Sequence, residues 1–136
     1  MRSPVATSPY NSTSWSQQLH ALASRVAMNR TVAGVHFPID SVAGAILGLT
    51  LGRYLVKRCT NAASYEAWSF DSANFIANAD FQWFDLYDVA TSAQKEAVGS
   101  GGAKYAVQQN AAVALSALDR SLILEQLWTK ARAEWP

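Results

Sequence analysis

The stretch Asn29-Arg30-Thr31-Val32-Ala33-Gly34-Val35-His36-Phe37-Pro38-Ile39-Asp40 decides how the rest of the chain is read. Counting back from Arg30, the residues Val26, Ala23, Leu22 and Leu19 recur at helical spacing. That spacing predicts an amphipathic helix whose apolar stripe Arg30 continues toward a core. A guanidinium aimed at a core needs an anion or a set of carbonyls, because an unpaired buried charge is too unfavourable. Gly34 and Pro38 predict that this helix stops and that a short loop carries His36, one of two histidines in the chain. Asp40 falls where an N-cap is expected, just ahead of the apolar run that begins at Val42. Arg30, His36 and Asp40 are therefore expected to converge where a helix end, a loop and a helix start meet, a place suited to an oxyanion.

Arg, five residues, His, three residues, Asp also resembles the third signature of the superfamily that joins vanadium-dependent haloperoxidases and type 2 phosphatidic acid phosphatases. The flanking Val-Ala-Gly-Val-His-Phe-Pro-Ile-Asp-Ser-Val-Ala-Gly is similar to bacterial members in detail. The family motif opens Ser-Arg and this one opens Asn29-Arg30, with Asn29 also able to hydrogen-bond an anion. Residues 127 to 135, Leu-Trp-Thr-Lys-Ala-Arg-Ala-Glu-Trp, resemble the C-terminal part of bacterial haloperoxidase-like proteins loosely. The resemblance implies a phosphate or vanadate site. Arg30 and Asn29 would bind the anion's oxygens. His36 would be the nucleophile on phosphorus or the ligand of vanadium, and Asp40 would orient its ring. The family's two earlier motifs, a Lys followed seven residues later by Arg-Pro and a Pro-Ser-Gly-His, do not occur. The 29 residues before Arg30 hold no Lys, and their histidine, His20, lies in Gln-Gln-Leu-His-Ala-Leu. The resemblance thus implies the C-terminal portion of a family member, lacking most of the anion clamp and the usual general acid.

Composition sets the frame. A chain of 136 residues, half of them apolar and 15% charged, predicts one globular domain with a sizeable core. A formal charge of +1 without a basic stripe argues against a nucleic-acid partner. The lone Cys59 excludes an intramolecular disulfide framework and reads as a partly buried small residue. Residues 1 to 10 carry no apolar signal-peptide segment, so the expectation is a soluble chain, cytoplasmic by default. The longest apolar run, Val42 to Val56, contains Arg53 and is short for a bilayer, which favours a buried helix.

Residues 1–13 read as an irregular lead-in and 14–136 as a single helical domain. A first helix is expected from Ser14 or Ser16 to Ala33, with His20 partly exposed on it. A second is expected from Ser41 to Arg58, its Gly44, Gly48 and Gly52 making a stripe for close approach of another helix. From Asn61 to Asp88, many aromatics with Asp71, Asp80, Asp85 and Asp88 between them suggest short helices. These carboxylates lack a calcium-loop spacing and read as a solvated face, so no divalent metal is indicated. Ser92 to Val98 is expected to be helical and Gly99 to Gly102 a linker. A last helix is expected from Lys104 to Glu134. The fold expected is an all-α helical bundle, a partial haloperoxidase-like or acid-phosphatase-like fold. The function expected is an incomplete protein of that kind, retaining part of an oxyanion site without turnover on its own. Completion by another chain into an active phosphatase or vanadium haloperoxidase is one alternative, and a non-catalytic helical interaction module is the other. In each case exposed helical surface implies a homo-oligomer or a partner chain.

Overall fold

A computed structural model describes residues 12–76, 78–88, 90–91, 93–95, 105–108 and 111–134. The chain begins with a helical hairpin, α1 (Ser12–Val32) and α2 (Pro38–Cys59). Short strands follow: β1 (Ser64–Tyr65), β2 (Trp68–Phe70), β3 (Tyr87–Asp88), β4 (Ala93–Gln94), β5 (Ala106–Gln108) and β6 (Val113–Ala114). Single 3-10 turns lie at Ser72–Asn74, Trp83–Asp85 and Ala117–Asp119, and α3 (Leu122–Glu134) closes the described chain.

The all-α bundle expected from the sequence is therefore overturned. Three antiparallel two-stranded ladders, β1 with β6, β2 with β5 and β3 with β4, occupy the region between α2 and α3. The helix expected over 104–134 is confined to α3. Ala106–Gln108 pairs instead with Trp68–Phe70, and Val113–Ala114 with Ser64–Tyr65. Ala93–Gln94, expected in a helix, pairs with Tyr87–Asp88. Alanine and glutamine favour helix in isolation. Partners rich in aromatic residues (Tyr65, Trp68, Phe70, Tyr87) offer strand pairing, and tertiary context overrides a propensity of a few tenths of a kcal/mol. The linker expected at Gly99–Gly102 and most of the expected lead-in lie outside the described residues.

The core lies between α2 and these ladders. Val42 and Ile46 are buried on one face of α2, against Trp68, Phe81, Leu86 and Ala106, with Ala45 and Leu49 partly buried beside them. The Trp68 N–H donates to Thr50 Oγ1 at 3.3 Å, fastening β2 to the helix. The Arg53 guanidinium lies 5.7 Å from the centre of the Trp68 ring, a cation–π contact. Arg58 Nε donates to the Asp119 carbonyl at 2.6 Å, fixing the turn ahead of α3.

α1 reverses the expected orientation. Its inward residues are Ser16, His20, Ser24, Ala27 and Thr31, with Ser24 buried and Ala27 packed on the core. Its apolar stripe, Trp15, Leu19, Leu22 and Val26, faces outward and is 43–57% exposed. The polar face is inward because it finds specific partners there. Ser16 Oγ donates to the Tyr87 hydroxyl at 3.2 Å. The His20 ring lies 4.2 Å from that of Tyr87 and 5.6 Å, nearly parallel, from that of Trp83. The stripe of Gly44, Gly48 and Gly52 also differs from expectation, since a Cβ added at each would meet nothing within 4 Å.

Candidate functional site

The site forms where the hairpin turns. α1 ends in a Schellman motif: the Val35 N–H donates to the Arg30 carbonyl at 3.1 Å and the Gly34 N–H to the Thr31 carbonyl at 2.9 Å. Gly34 has φ +73°, the left-handed conformation this motif requires and glycine adopts without strain. α2 begins immediately afterwards. Pro38 occupies its first turn with φ preset for a helix, and holds Phe37 in extended backbone (φ −93°, ψ 155°). Phe37 is thus the N-cap position, and Asp40, expected there, sits three residues into the helix instead. Asp40 Oδ2 reaches back to accept the Phe37 N–H at 3.1 Å. Its charge also lies in the first turn, where the helix dipole favours an anion.

These two caps bring the three sequence-marked residues together. Arg30 Nη2 donates to His36 Nε2 at 2.5 Å. On the other side of the ring, His36 Nδ1 lies 3.5 Å from Asp40 Oδ2. A guanidinium only donates, so Nε2 is the accepting nitrogen, and the geometry assigns the imidazole proton to Nδ1, facing the carboxylate. Asp40 Oδ2 therefore faces both the ring and the helix cap. The site is open to solvent: Asp40 is half-exposed, His36 somewhat less so, and Val32, Val35 and Phe37 around it are exposed. Asn29 is exposed in the last turn of α1 and its carbonyl accepts the Ala33 N–H. Among the described residues no hydrogen bond joins its side chain to Arg30 or His36.

The other candidates lie elsewhere. His20 is ten residues before Arg30, about 15 Å along the helix axis, and burial lowers its pKa from the ordinary value. It is held between aromatic rings and takes no part in the site. Asp71, Asp88 and Asp119 serve turns. Asp71 accepts from the Ala73 N–H and the Asn74 amide, and Asp88 from the Ala90 N–H. Asp119 accepts from Ser116, whose hydroxyl and N–H bonds hold its carboxyl below the usual range. Among the described residues no group of three or more His, Cys, Asp or Glu is placed to hold a metal ion.

A second cluster of polar side chains went unmarked in the sequence. At the far end of α2, a cleft of about 220 Å³ is lined by Lys57, Arg58, Ser116 and Arg120, among others. Each cation there has an acidic or carbonyl neighbour: Lys57 lies 4.0 Å from Glu66, Arg120 3.8 Å from Glu125, and Arg58 bonds the Asp119 carbonyl. The same end of α2 closes with a Schellman motif, in which Asn61 takes the left-handed place (φ 53°) that Gly34 takes after α1. The basic residues there balance the negative end of the helix dipole and local carboxylates.

No protein family, curated protein or solved structure matches the chain.

Proposed function

We propose that Arg30, His36 and Asp40 form a binding site for a tetrahedral oxyanion, phosphate or vanadate, in an incomplete site of the haloperoxidase and phosphatase type that does not turn over alone. One observation carries the reading: His36 has its acceptor nitrogen against a guanidinium and its other nitrogen against a carboxylate. In that state Nε2 keeps a lone pair for phosphorus or vanadium, Asp40 fixes the tautomer and the ring's orientation, and Arg30 lies where a bound oxygen needs a cation. The guanidinium donates to the nitrogen itself. An entering oxyanion would take over that guanidinium and leave Nε2 facing its central atom.

The donor set fits such an anion in kind but not in number. The site contains one guanidinium, and no lysine or second arginine contributes to it among the described residues. At a solvent-open surface a unit charge pair at 4 Å contributes between about 1 and 4 kcal/mol. A Kd near 1 mM corresponds to about 4.1 kcal/mol, so millimolar affinity is the expected scale. Completion by another chain, giving an active phosphatase or a vanadium haloperoxidase, is the second reading. The exposed apolar rim of Val32, Val35 and Phe37 beside the open site supports it.

The test is thermal stability of the chain in phosphate up to 10 mM and vanadate up to 1 mM at matched ionic strength. At a millimolar Kd, 10 mM phosphate stands at ten times Kd and adds about 1.4 kcal/mol, a rise of several degrees for a domain of this size, while 1 mM vanadate stands at one Kd and adds about 0.4 kcal/mol. The rise is expected to vanish in Arg30→Ala and His36→Ala. No rise in either anion, or the same rise in both variants, overturns the reading. Assays of phosphate ester hydrolysis and halide oxidation are expected to show no turnover by the chain alone.

A further inference from the structure

The cleft at the far end of α2 brings together cations from two distant stretches of chain. Lys57 and Arg58 come from the last turn of α2, and Arg120 from the segment just after the 3-10 turn Ala117–Asp119. All three line the cleft, and among the described residues no Asp or Glu does. The rest of its wall is largely small and apolar, with Ala62, Leu115 and Ala117 contributing. We propose that this cleft binds a small organic anion of two or more negative charges, held through carboxylate or phosphate groups.

Three observations support a ligand. The ion pairs that these cations make within the chain are loose. Lys57 Nζ stands 4.0 Å from Glu66 and Arg120 Nε 3.8 Å from Glu125, both beyond hydrogen-bond distance, and Glu125 Oε1 is buried without a hydrogen-bond partner. Arg58, by contrast, is preset. Its Nε donates to the Asp119 carbonyl at 2.6 Å, and its guanidinium lies 5.5 Å from the centre of the Tyr54 ring. Among the described residues no hydrogen bond engages its two terminal nitrogens, and the Asp119 carboxylate accepts from Ser116. That leaves a fixed fork of the kind a carboxylate or phosphate meets with two oxygens. The third observation concerns the helix end. The Thr60, Asn61 and Ala62 N–H groups donate to the Val56, Arg58 and Lys57 carbonyls, so the backbone closes α2 by itself. The side-chain charges offset the helix pole without hydrogen-bonding to it, and remain available to the cleft. Size narrows the ligand. At about 220 Å³ the cleft has room for several waters, yet falls below the ~300 Å³ at which drug-sized sites begin. Three cations beside a wall of methyl groups suit a short carbon skeleton with separated anionic groups better than a single inorganic ion.

The experiment is a titration of the isotope-labelled full chain with citrate, glycerol phosphate and acetate at matched ionic strength, followed by amide chemical shifts. Saturable shifts are expected at Asn61, Ala62 and Ala117 with citrate, glycerol phosphate or both, and none with acetate. Citrate alone assigns a polycarboxylate, and glycerol phosphate alone a phosphate ester. Lys57→Gln combined with Arg120→Gln is expected to raise Kd by roughly tenfold or more, since two charges are lost. Both side chains are partly exposed, so the double variant is expected to keep the parent's circular dichroism. The charge-keeping pair, Lys57→Arg with Arg120→Lys, is expected to retain binding. No saturable shift at these amides with either polyanion overturns the proposal, as do equal shifts with acetate or an unchanged Kd in the glutamine pair. Each titration is repeated in Arg30→Ala, where the cleft shifts are expected to persist. Shifts that disappear in that variant belong to the hairpin site and overturn the cleft, whereas a silent hairpin site leaves the cleft shifts standing, so the two proposals fail separately.

Discussion

Four glycine-to-alanine substitutions should divide by sign, and the structure fixes which goes which way. Gly44, Gly48 and Gly52 lie inside α2, and an alanine Cβ at any of them meets no atom within 4 Å. In an exposed helix interior, alanine is favoured over glycine by about 0.8–1 kcal/mol, since glycine surrenders more backbone freedom on folding. The triple alanine variant should gain about 2 kcal/mol after allowance for imperfect additivity. For a chain of this length that raises Tm by about 8 °C. Gly34 is equally uncrowded, but its φ is +73°. Alanine there meets no clash with the surroundings and still carries the left-handed penalty of about 1–2 kcal/mol, so Gly34→Ala should lower Tm by about 4 °C or more. Urea unfolding followed by circular dichroism measures both, with unchanged m-values indicating that only stability has moved. A triple variant that is less stable than the parent refutes the reasoning. It would mean that another surface packs onto the glycine stripe in solution, as the sequence alone suggested.

Asp40→Ala should cost about 1 kcal/mol, because it removes both the acceptor for the Phe37 N–H and the negative charge in the first turn of α2. Asp40→Asn keeps an acceptor and should fall between, and a fully stable alanine variant would show that the cap contributes nothing. His20 gives a pH dependence whose sign follows from burial. Its folded pKa lies below the ordinary 6.5, so between those two values the unfolded chain binds more protons. Stability should therefore be level above about pH 7 and decline as pH falls through 6.5 toward the folded pKa. His20→Phe, which keeps a ring against Tyr87 and Trp83, should flatten that decline in urea midpoints measured from pH 8 to 5. An unchanged slope would assign the proton uptake elsewhere.

What the sequence made legible was local. Both helices of the hairpin and its turn follow from residues whose preferences act over one or two turns. Gly34 ends α1, Pro38 starts α2, and the apolar positions Val42, Ala45, Ile46 and Leu49 repeat at helical spacing. The convergence of Arg30, His36 and Asp40 was legible for the same reason, because all three belong to that turn. The ladders were not. Trp68–Phe70 meets Ala106–Gln108 across more than thirty residues of chain, and nothing in Ala-Val-Gln marks a strand until its partner is known. The inward face of α1 was misread because apolar periodicity shows where a stripe lies on a helix and not what it faces. Ser16 and His20 win the interior through a hydroxyl partner and two aromatic rings that lie some seventy residues away.

The hairpin turn also shows how closely the candidate site and the fold share atoms, and where they part. The carbonyl of Arg30 holds the Schellman loop, while its guanidinium reaches the imidazole that the loop carries. Asp40 Oδ2 caps α2 and faces His36. The backbone of Arg30, the φ of Gly34 and the Asp40 carboxylate therefore serve folding whether or not an anion ever binds. The guanidinium of Arg30 and the ring of His36 have no such second task. They are solvent-open and, among the described residues, reach each other and Asp40, a placement that adds little to stability at an exposed surface. These two side chains, held in register by caps that would exist without them, are the ones on which the proposed oxyanion site rests. For the same reason Arg30→Ala and His36→Ala are the informative variants for anion binding. Removing either should leave the hairpin standing, whereas removing Asp40 disturbs helix and site at once.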